Sequence, residues 1–171
     1  MHLVKNIILF IVAALIGLAL FMPRLTLYYY LENQLANKGI VIYDEKATNS
    51  LSNLKISNAK VSFQGADIAE INNIKIMPFI VYNRVDAKNI ELAGVAKQFA
   101  DIEIDELKAI HSILKPYIVK INAKGNFGLA SGYVNIKQRV IHIDITQADD
   151  ISKIKKFLKK SEKGWYYESK F

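Results

Sequence analysis

The sequence predicts a mainly β protein of the α+β class, in which an N-terminal transmembrane helix precedes a curved, mostly antiparallel sheet with two or three short helices. Three observations predict this fold class. The chain opens on an uncharged apolar run, short runs through its middle alternate apolar with polar residues, and 51% of its 171 residues are hydrophobic, with no cysteine. This composition predicts one domain with a core and excludes a disulfide framework or a thiolate metal site.

The first element is the apolar run from Ile7 to Met22, sixteen residues without a charge. As a helix it would be about 24 Å long, somewhat shorter than a hydrocarbon layer of roughly 30 Å. We predict that residues 1–24 form an uncleaved signal anchor. A cleaved signal peptide is the alternative, but the small residues of a cleavage site are missing after the run. The side chains expected to face lipid include Ile7, Leu9, Phe10, Leu15, Leu18, Phe21 and Met22.

Polar and aromatic residues flank this run, as is typical of a membrane interface. The short N-terminal tail favours a cytoplasmic N-terminus and export of the remaining domain, residues 25–171. The residues expected at the interface are Lys5, Arg24, Tyr28, Tyr29 and Tyr30.

The pattern then changes from a helix to strands. Residues 25–38 predict a short helix, which Gly39 ends. Branched residues follow in runs at 40–43, 54–56, 59–63, 74–76 and 90–92. A weak repeat of the form Asn, apolar, charged, apolar begins at Asn58, Asn73 and Asn89, at spacings of 15 and 16 residues. We interpret each copy as one strand of a meander, entered through an Asn turn.

The second half continues this alternation. Three adjacent antiparallel strands are predicted from residues 119–123, 134–136 and 141–146, with a Gly-bounded hairpin turn at 125–128. Helices are predicted at 105–115 and 149–163, and a last strand at 165–171. The second of these helices is rich in lysine. Its lysines either form a solvated face of a helix that covers the sheet, or contact anionic lipid or a protein partner; the candidates for contact are Lys153, Lys156, Lys159 and Lys160.

No motif for catalysis is found. Asp101, Glu103 and Asp105 alternate along a predicted strand and favour a solvated face over a metal site. His111 and His142 stand near Ser112 and Asp144, without spacing that predicts a catalytic group. We therefore expect no enzymatic activity, no cofactor and no metal. Nucleic acid is disfavoured as a partner, because no basic stripe with interleaved aromatic residues extends beyond the lysine-rich segment.

Two stretches carry a resemblance to a known family: residues 23–42, which read PRLTLYYYLENQLANKGIVI, and 125–146, which read GNFGLASGYVNIKQRVIHIDIT. Together with the Asn units, they resemble the inner-membrane N component of type II secretion systems and, more distantly, the AsmA-like envelope proteins. The chain is shorter than that family. The resemblance implies a non-enzymatic, single-span protein of the bacterial inner membrane with a curved periplasmic sheet.

Two functions follow from this resemblance. The first is an accessory or assembly subunit of a type II secretion-like or related envelope-spanning apparatus, with partners in a secretion or pilus-like complex. The alternative is an AsmA-like module that binds or transfers lipid at the membrane surface. One structural property separates them: lipid handling needs a continuous, open apolar face, whereas a subunit can close its core and bind through edge strands.

Overall fold

The computed structural model describes residues 23–79, 81–162 and 164–171. Two α-helices and one 3₁₀ turn accompany eleven strands in this part of the chain. In order these are α1 (Arg24–Ala36), β1 (Ile40–Tyr43), β2 (Lys46–Asn49), β3 (Leu54–Phe63), β4 (Ala66–Pro78), β5 (Tyr82–Leu92), α2 (Gly94–Phe99), β6 (Glu103–Ser112), β7 (Lys115–Gly125), β8 (Gly128–Asn135), β9 (Val140–Ala148), the 3₁₀ turn (Lys155–Phe157), β10 (Lys159–Ser161) and β11 (Gly164–Lys170).

All eleven strands form one antiparallel sheet, in the order β1-β3-β4-β5-β6-β7-β8-β9-β11-β10, with β2 also paired to β3. From β3 to β9 each strand is followed by its neighbour, so the connections alternate between the two ends of the strands. We call one end the open end; it carries the turn at 50–53, the turn around Phe79 and Val81, and the turns at 113–114 and 136–139. The other is the closed end, with turns at 64–65 and 126–127 and longer connections at 93–102 and 149–158.

One face of this sheet is apolar because apolar residues oppose one another in register across the strands. One row crosses seven strands through Ile56, Ile74, Ala87, Leu107, Ala123, Ala130 and Ile145. A second row runs beside it through Leu54, Ile76, Val85, Ala109, Ile121, Gly132, Ile143 and Tyr167. The other face is mostly charged and polar, as expected for strands of period two.

The Asn positions lie inside strands, so the predicted Asn turns are wrong. Asn58 and Asn89 have left-handed φ values of 56° and 51° within β3 and β5. Asn tolerates this region because its short side chain is polar and can bond locally. The added residue changes the spacing of apolar residues from two to three, which keeps Ile56 and Ala59 both buried. Asn58 and Asn89 are therefore kinks that hold the apolar side chains of β3 and β5 on one face.

The apolar face is covered at two places. Near β3, Tyr28 of α1 packs with Leu54, Ile56 and Ala59. At the closed end, Ala100 and Ile154 of the long connections pack with Phe127 and Ala130. These two clusters contain most of the fully buried side chains of the described residues.

The predicted fold class is wrong in its transmembrane helix. Among residues 23–79, 81–162 and 164–171, no helix has the length and hydrophobicity needed to cross a bilayer. α1 has 13 residues, includes Glu32, Asn33 and Gln34, and covers the sheet. The run from Ile7 to Met22, on which that prediction rested, lies outside the described residues. The predicted helix at 25–38 is confirmed as α1, and the mostly antiparallel sheet is confirmed.

Two other predicted helices are strands or turns. The segment 105–115 belongs to β6 and the start of β7. Its helix-like spacing comes from Leu107 and Ile110, which lie on opposite faces of β6, and Leu114, which lies in the next turn. The segment 149–163 contains turns, one 3₁₀ turn and β10, because Ile151, Ile154 and Leu158 all fold into the cluster at the closed end. The predicted last strand is confirmed as β11, and the three strands of the second half are confirmed as β7, β8 and β9.

Candidate functional site

The candidate site is the part of the apolar face that neither cluster includes. Its side chains come from five neighbouring strands, β5 to β9, on the side nearer the open end. All are half-buried, and neither α1 nor the connections at the closed end pack on them. We call this the open section; its residues are Val85, Ala109, Val119, Ile121, Val134 and Ile141.

Alternation along each strand and pairing between strands together build the open section. Ala109 of β6 lies opposite both Val85 of β5 and Ile121 of β7. In the next row Val134 of β8 lies opposite Val119 and Ile141. Branched residues dominate these pairs, as their preference for strands predicts, and each pair places two apolar side chains side by side. The result is a continuous apolar surface across five strands.

Two glycines mark a close approach of neighbouring strands on the apolar face. Gly132 opposes Ile143 on the apolar face, and a Cβ added to it would lie 2.0 Å from the carbonyl oxygen of His142 on the next strand. A Cβ on Gly125, which opposes Ile104, would lie 2.1 Å from the carbonyl oxygen of Glu103. A side chain would therefore not fit at either position. We call the apolar face, which the connections cover at the closed end, the trough.

A histidine lies at the open mouth of this trough. His111 occupies the row of Asn83 and Val119, at the last positions before the open end. Its Nδ1 lies 3.5 Å from the Asn83 side-chain nitrogen, and its Nε2 lies 3.0 Å from the Pro116 carbonyl oxygen. Both ring nitrogens thus have partners within the protein. The mouth is polar where the trough behind it is apolar.

The opposite face of the same strands is charged and self-paired. Lys88 lies 3.1 Å from Glu106, and the Arg84 guanidinium donates to Asp86 at 2.8 Å. The hydrogen bond from Lys88 lowers the pKa of Glu106. A depression of about 380 Å³ lies among these side chains. Because the charges are paired and exposed, this face is a solvated surface.

One cluster of titratable groups forms on the polar face around His142. Its ring stacks between Tyr133 and Tyr166, at centroid distances of 5.5 and 5.3 Å. Its Nδ1 lies 3.1 Å from Glu168, and its Nε2 lies 3.3 Å from Asp144. The sequence placed His142 near Asp144 but missed Glu168, which only the pairing of β9 with β11 brings close. The two carboxylates contact opposite ring nitrogens, and no group of three such residues in the described ranges could hold a metal ion.

The four candidate lysines do not share a helix face. Lys153 forms a hydrogen-bonded ion pair with Asp101, which raises the pKa of Lys153 and lowers that of Asp101. Lys159 lies 3.8 Å from Glu168. The other two lie over aromatic rings: Lys156 is 5.0 Å from the ring centre of Phe157, and Lys160 is 5.8 Å from that of Trp165.

The predicted interface residues fall into three groups. Arg24 and Tyr28 are buried between α1 and the sheet, where the Arg24 guanidinium donates to the Ser50 carbonyl oxygen at 3.4 Å. Burial, and next the charge of Glu45, raise the pKa of Tyr28. Tyr29 and Tyr30 are exposed on α1. Lys5 and the predicted lipid-facing side chains lie outside the described residues.

Comparisons with known proteins identify no relative. No family model, no curated protein and no solved structure matches this chain.

Proposed function

We propose that this protein is a non-enzymatic module of the bacterial envelope that binds an acyl chain of a lipid in the trough, at a membrane surface. One observation carries the proposal: the residues of the open section oppose one another in two adjacent rows, across β5 to β7 and across β7 to β9, and remain half-exposed. A contiguous exposed apolar surface of this kind marks a site for an apolar ligand or partner.

The small residues beside the open section favour a narrow, unbranched occupant. Ala109 and Gly132 have short side chains or none and lie next to the larger Ile121. Four spacings between strands, from β5 to β9, extend over about 19 Å. An acyl chain fits such a groove, and each buried methylene contributes about 0.8 kcal/mol to binding.

The alternative, an accessory subunit of a secretion apparatus, would recruit its partner through an edge strand. β1, β2 and β10 are the outermost strands of the described sheet, with 4, 4 and 3 residues. Short edge strands protect a sheet against added strands. The edges therefore offer less for recognition than the trough does.

Photocrosslinking from two adjacent positions tests the proposal. A photoreactive amino acid at Ile121 faces the trough, and one at Lys120 faces the charged side of the same strand. In the full chain, in the membranes of the cells that produce it, we expect the probe at Ile121 to capture lipid and the probe at Lys120 to capture none. Equal capture at both positions, or capture of protein alone at Ile121, would contradict lipid binding.

A variant with a larger side chain in the trough should lose lipid binding and so provides a second test. Ala109→Trp places a large apolar side chain between Val85 and Ile121 without adding charge. We expect lipid capture at Ile121 to fall several-fold while protease resistance of the sheet is retained. A probe at a third position, Val41 in the edge strand β1, tests the alternative. Capture of a protein there, without capture of lipid at Ile121, would support the secretion subunit and contradict lipid binding.

A further inference from the structure

The open end carries exposed apolar side chains at every turn. Turns at a protein surface are ordinarily polar, yet Leu114 is 85% exposed and Leu51 is 79% exposed. At the closed end, by contrast, the shortest turns read Gln64-Gly65 and Asn126-Phe127, and Phe127 is buried. The exposed apolar residues of the open end are Leu51, Phe79, Val81, Ile113, Leu114, Tyr117, Ile136 and Phe171.

Backbone hydrogen bonds join neighbouring turns of the open end. The amide of Ile113 donates to the carbonyl oxygen of Val81 at 3.1 Å, and the amide of Ile136 donates to that of Tyr117 at 2.8 Å. At the far side the amide of Phe171 donates to Arg139 at 3.0 Å. The apolar tips therefore form an ordered ledge along the end of the sheet.

The charges of this ledge are of one sign. Four cations lie in or beside its turns: Lys115, Lys137, Arg139 and Lys170. Lys137 lies 5.7 Å from the ring centre of Tyr117. The turns at 50–53, 113–114 and 136–139, and residues 79, 81 and 171, contain no Asp or Glu. The connections of the closed end carry both signs, with three aspartates beside four lysines: Asp101, Asp149, Asp150, Lys97, Lys153, Lys155 and Lys156.

The chain also enters the described fold at this end. Arg24, the first residue of α1, bonds to Ser50 in the turn between β2 and β3. The residues before it include the sixteen-residue apolar run from Ile7 to Met22. The longest uncharged apolar run of the sequence therefore precedes the residue at which the described chain meets the open end.

We propose that the open end docks on an anionic lipid bilayer. Its apolar turns would enter the boundary between headgroups and acyl chains, and its cations would meet the phosphates. A second copy of the chain is a poorer partner, because a symmetric contact would bring like charges together. Docking would point the mouth of the trough at the bilayer. It does not depend on a lipid in the trough, so either proposal can fail alone.

Because the sequence contains no cysteine, a single introduced cysteine can be labelled specifically with a fluorophore. Leu114→Cys and Asn126→Cys place one label at each end of β7. The full chain, labelled with an environment-sensitive fluorophore, is reconstituted in vesicles of phosphatidylcholine and phosphatidylglycerol that carry nitroxide on their acyl chains. We expect nitroxide to quench the label at position 114 several-fold more than the label at 126. Equal quenching at the two positions, or none at 114, would overturn docking.

Two further measurements identify the partner and the contribution of charge. Because each cation at an anionic surface contributes about fivefold to binding, Lys137→Gln with Arg139→Gln should lower the docking equilibrium about 25-fold and reduce quenching at position 114. Vesicles of phosphatidylcholine alone remove the contribution of all four cations and should lower the docking equilibrium further than the double variant does. If the label at position 114 also reports an apolar environment in detergent without lipid, a protein partner or a second copy covers this position. That result would overturn the proposal. Lipid capture from Ile121 without quenching at 114 would remove docking and leave the proposed function standing.

Discussion

The open and closed ends belong to the same strands, but they differ in what covers their turns. At the closed end the connections at 93–102 and 149–158 are long enough to fold back on the apolar face, and they bury Phe127 under Ile154. At the open end the turns are short, and Leu114 projects into solvent. A long connection can therefore cover a short apolar turn, although Phe99 and Phe157 of the connections themselves stay exposed.

The largest difference between the ends should appear in stability. Phe127→Ala removes a buried ring at the closed end and should lower the free energy of unfolding by about 3–5 kcal/mol. Leu114→Ala removes an exposed side chain at the open end and should change it by about 0.5 kcal/mol or less. Urea denaturation of the full chain in a mild detergent measures both. Similar losses of stability for the two variants would mean that Leu114 is packed in solution and that the two ends do not differ in burial.

A smaller effect on stability is expected where β8 and β9 come close together, between the two ends. Gly132→Ala adds a Cβ that would lie 2.0 Å from a backbone oxygen, so the two strands must separate. Such overpacking costs about 1–3 kcal/mol. Ser131→Ala, at the adjacent position of the polar face, is the control and should change the midpoint of denaturation little. If Gly132→Ala unfolds with the wild-type midpoint, β8 and β9 approach each other less closely at this position than the structure shows.

The smallest effect concerns the ion pair that fastens the closed end. Lys153 holds the pKa of Asp101 below its usual range, so the pair stabilises the fold above the usual pKa of the carboxyl and loses this contribution as the pH falls through the lowered value. Asp101→Asn should therefore reduce stability slightly at pH 6, and variant and wild type should converge in strong acid. Because the pair is exposed, the difference should also shrink in high salt. A difference that persists below pH 2 would assign the effect to packing.

The sheet could be predicted from the sequence where alternation is strict, and not where a kink interrupts it. Ile141, Ile143 and Ile145 are spaced by two, and β9 lies where that spacing predicts. In β6 the spacing from Ile104 to Leu107 is three, which a helix also produces, and only pairing with β5 and β7 decides for a strand. A local pattern cannot report hydrogen bonds to residues far along the chain.

The candidate site was less predictable than the fold. Each strand of the trough shows an apolar face, but no sequence pattern says that residues 23–79, 81–162 and 164–171 leave this face uncovered between α1 and the closed end. Residues 149–163 illustrate the difficulty, since the spacing of their apolar residues resembles that of a helix. In the structure Lys153 instead pairs with Asp101, and Ile154 is buried in a turn. The ledge follows from topology, because only the alternation of hairpins brings Val81, Ile113 and Ile136 to one end.

The kinks at Asn58 and Asn89 occur at equivalent positions of β3 and β5, so the hairpin is a repeating unit of this part of the sheet. The four residues 56–59 of β3 and 87–90 of β5 have the same order, apolar, polar, Asn, apolar, and occupy the same rows of the sheet. A further hairpin with this four-residue unit, inserted between β4 and β5, would pair with both neighbours in the existing register. It would lengthen the trough by two strand spacings, about 10 Å, and leave each turn at its present end. Ligand length could then be adjusted by duplication of one hairpin, without redesign of either end.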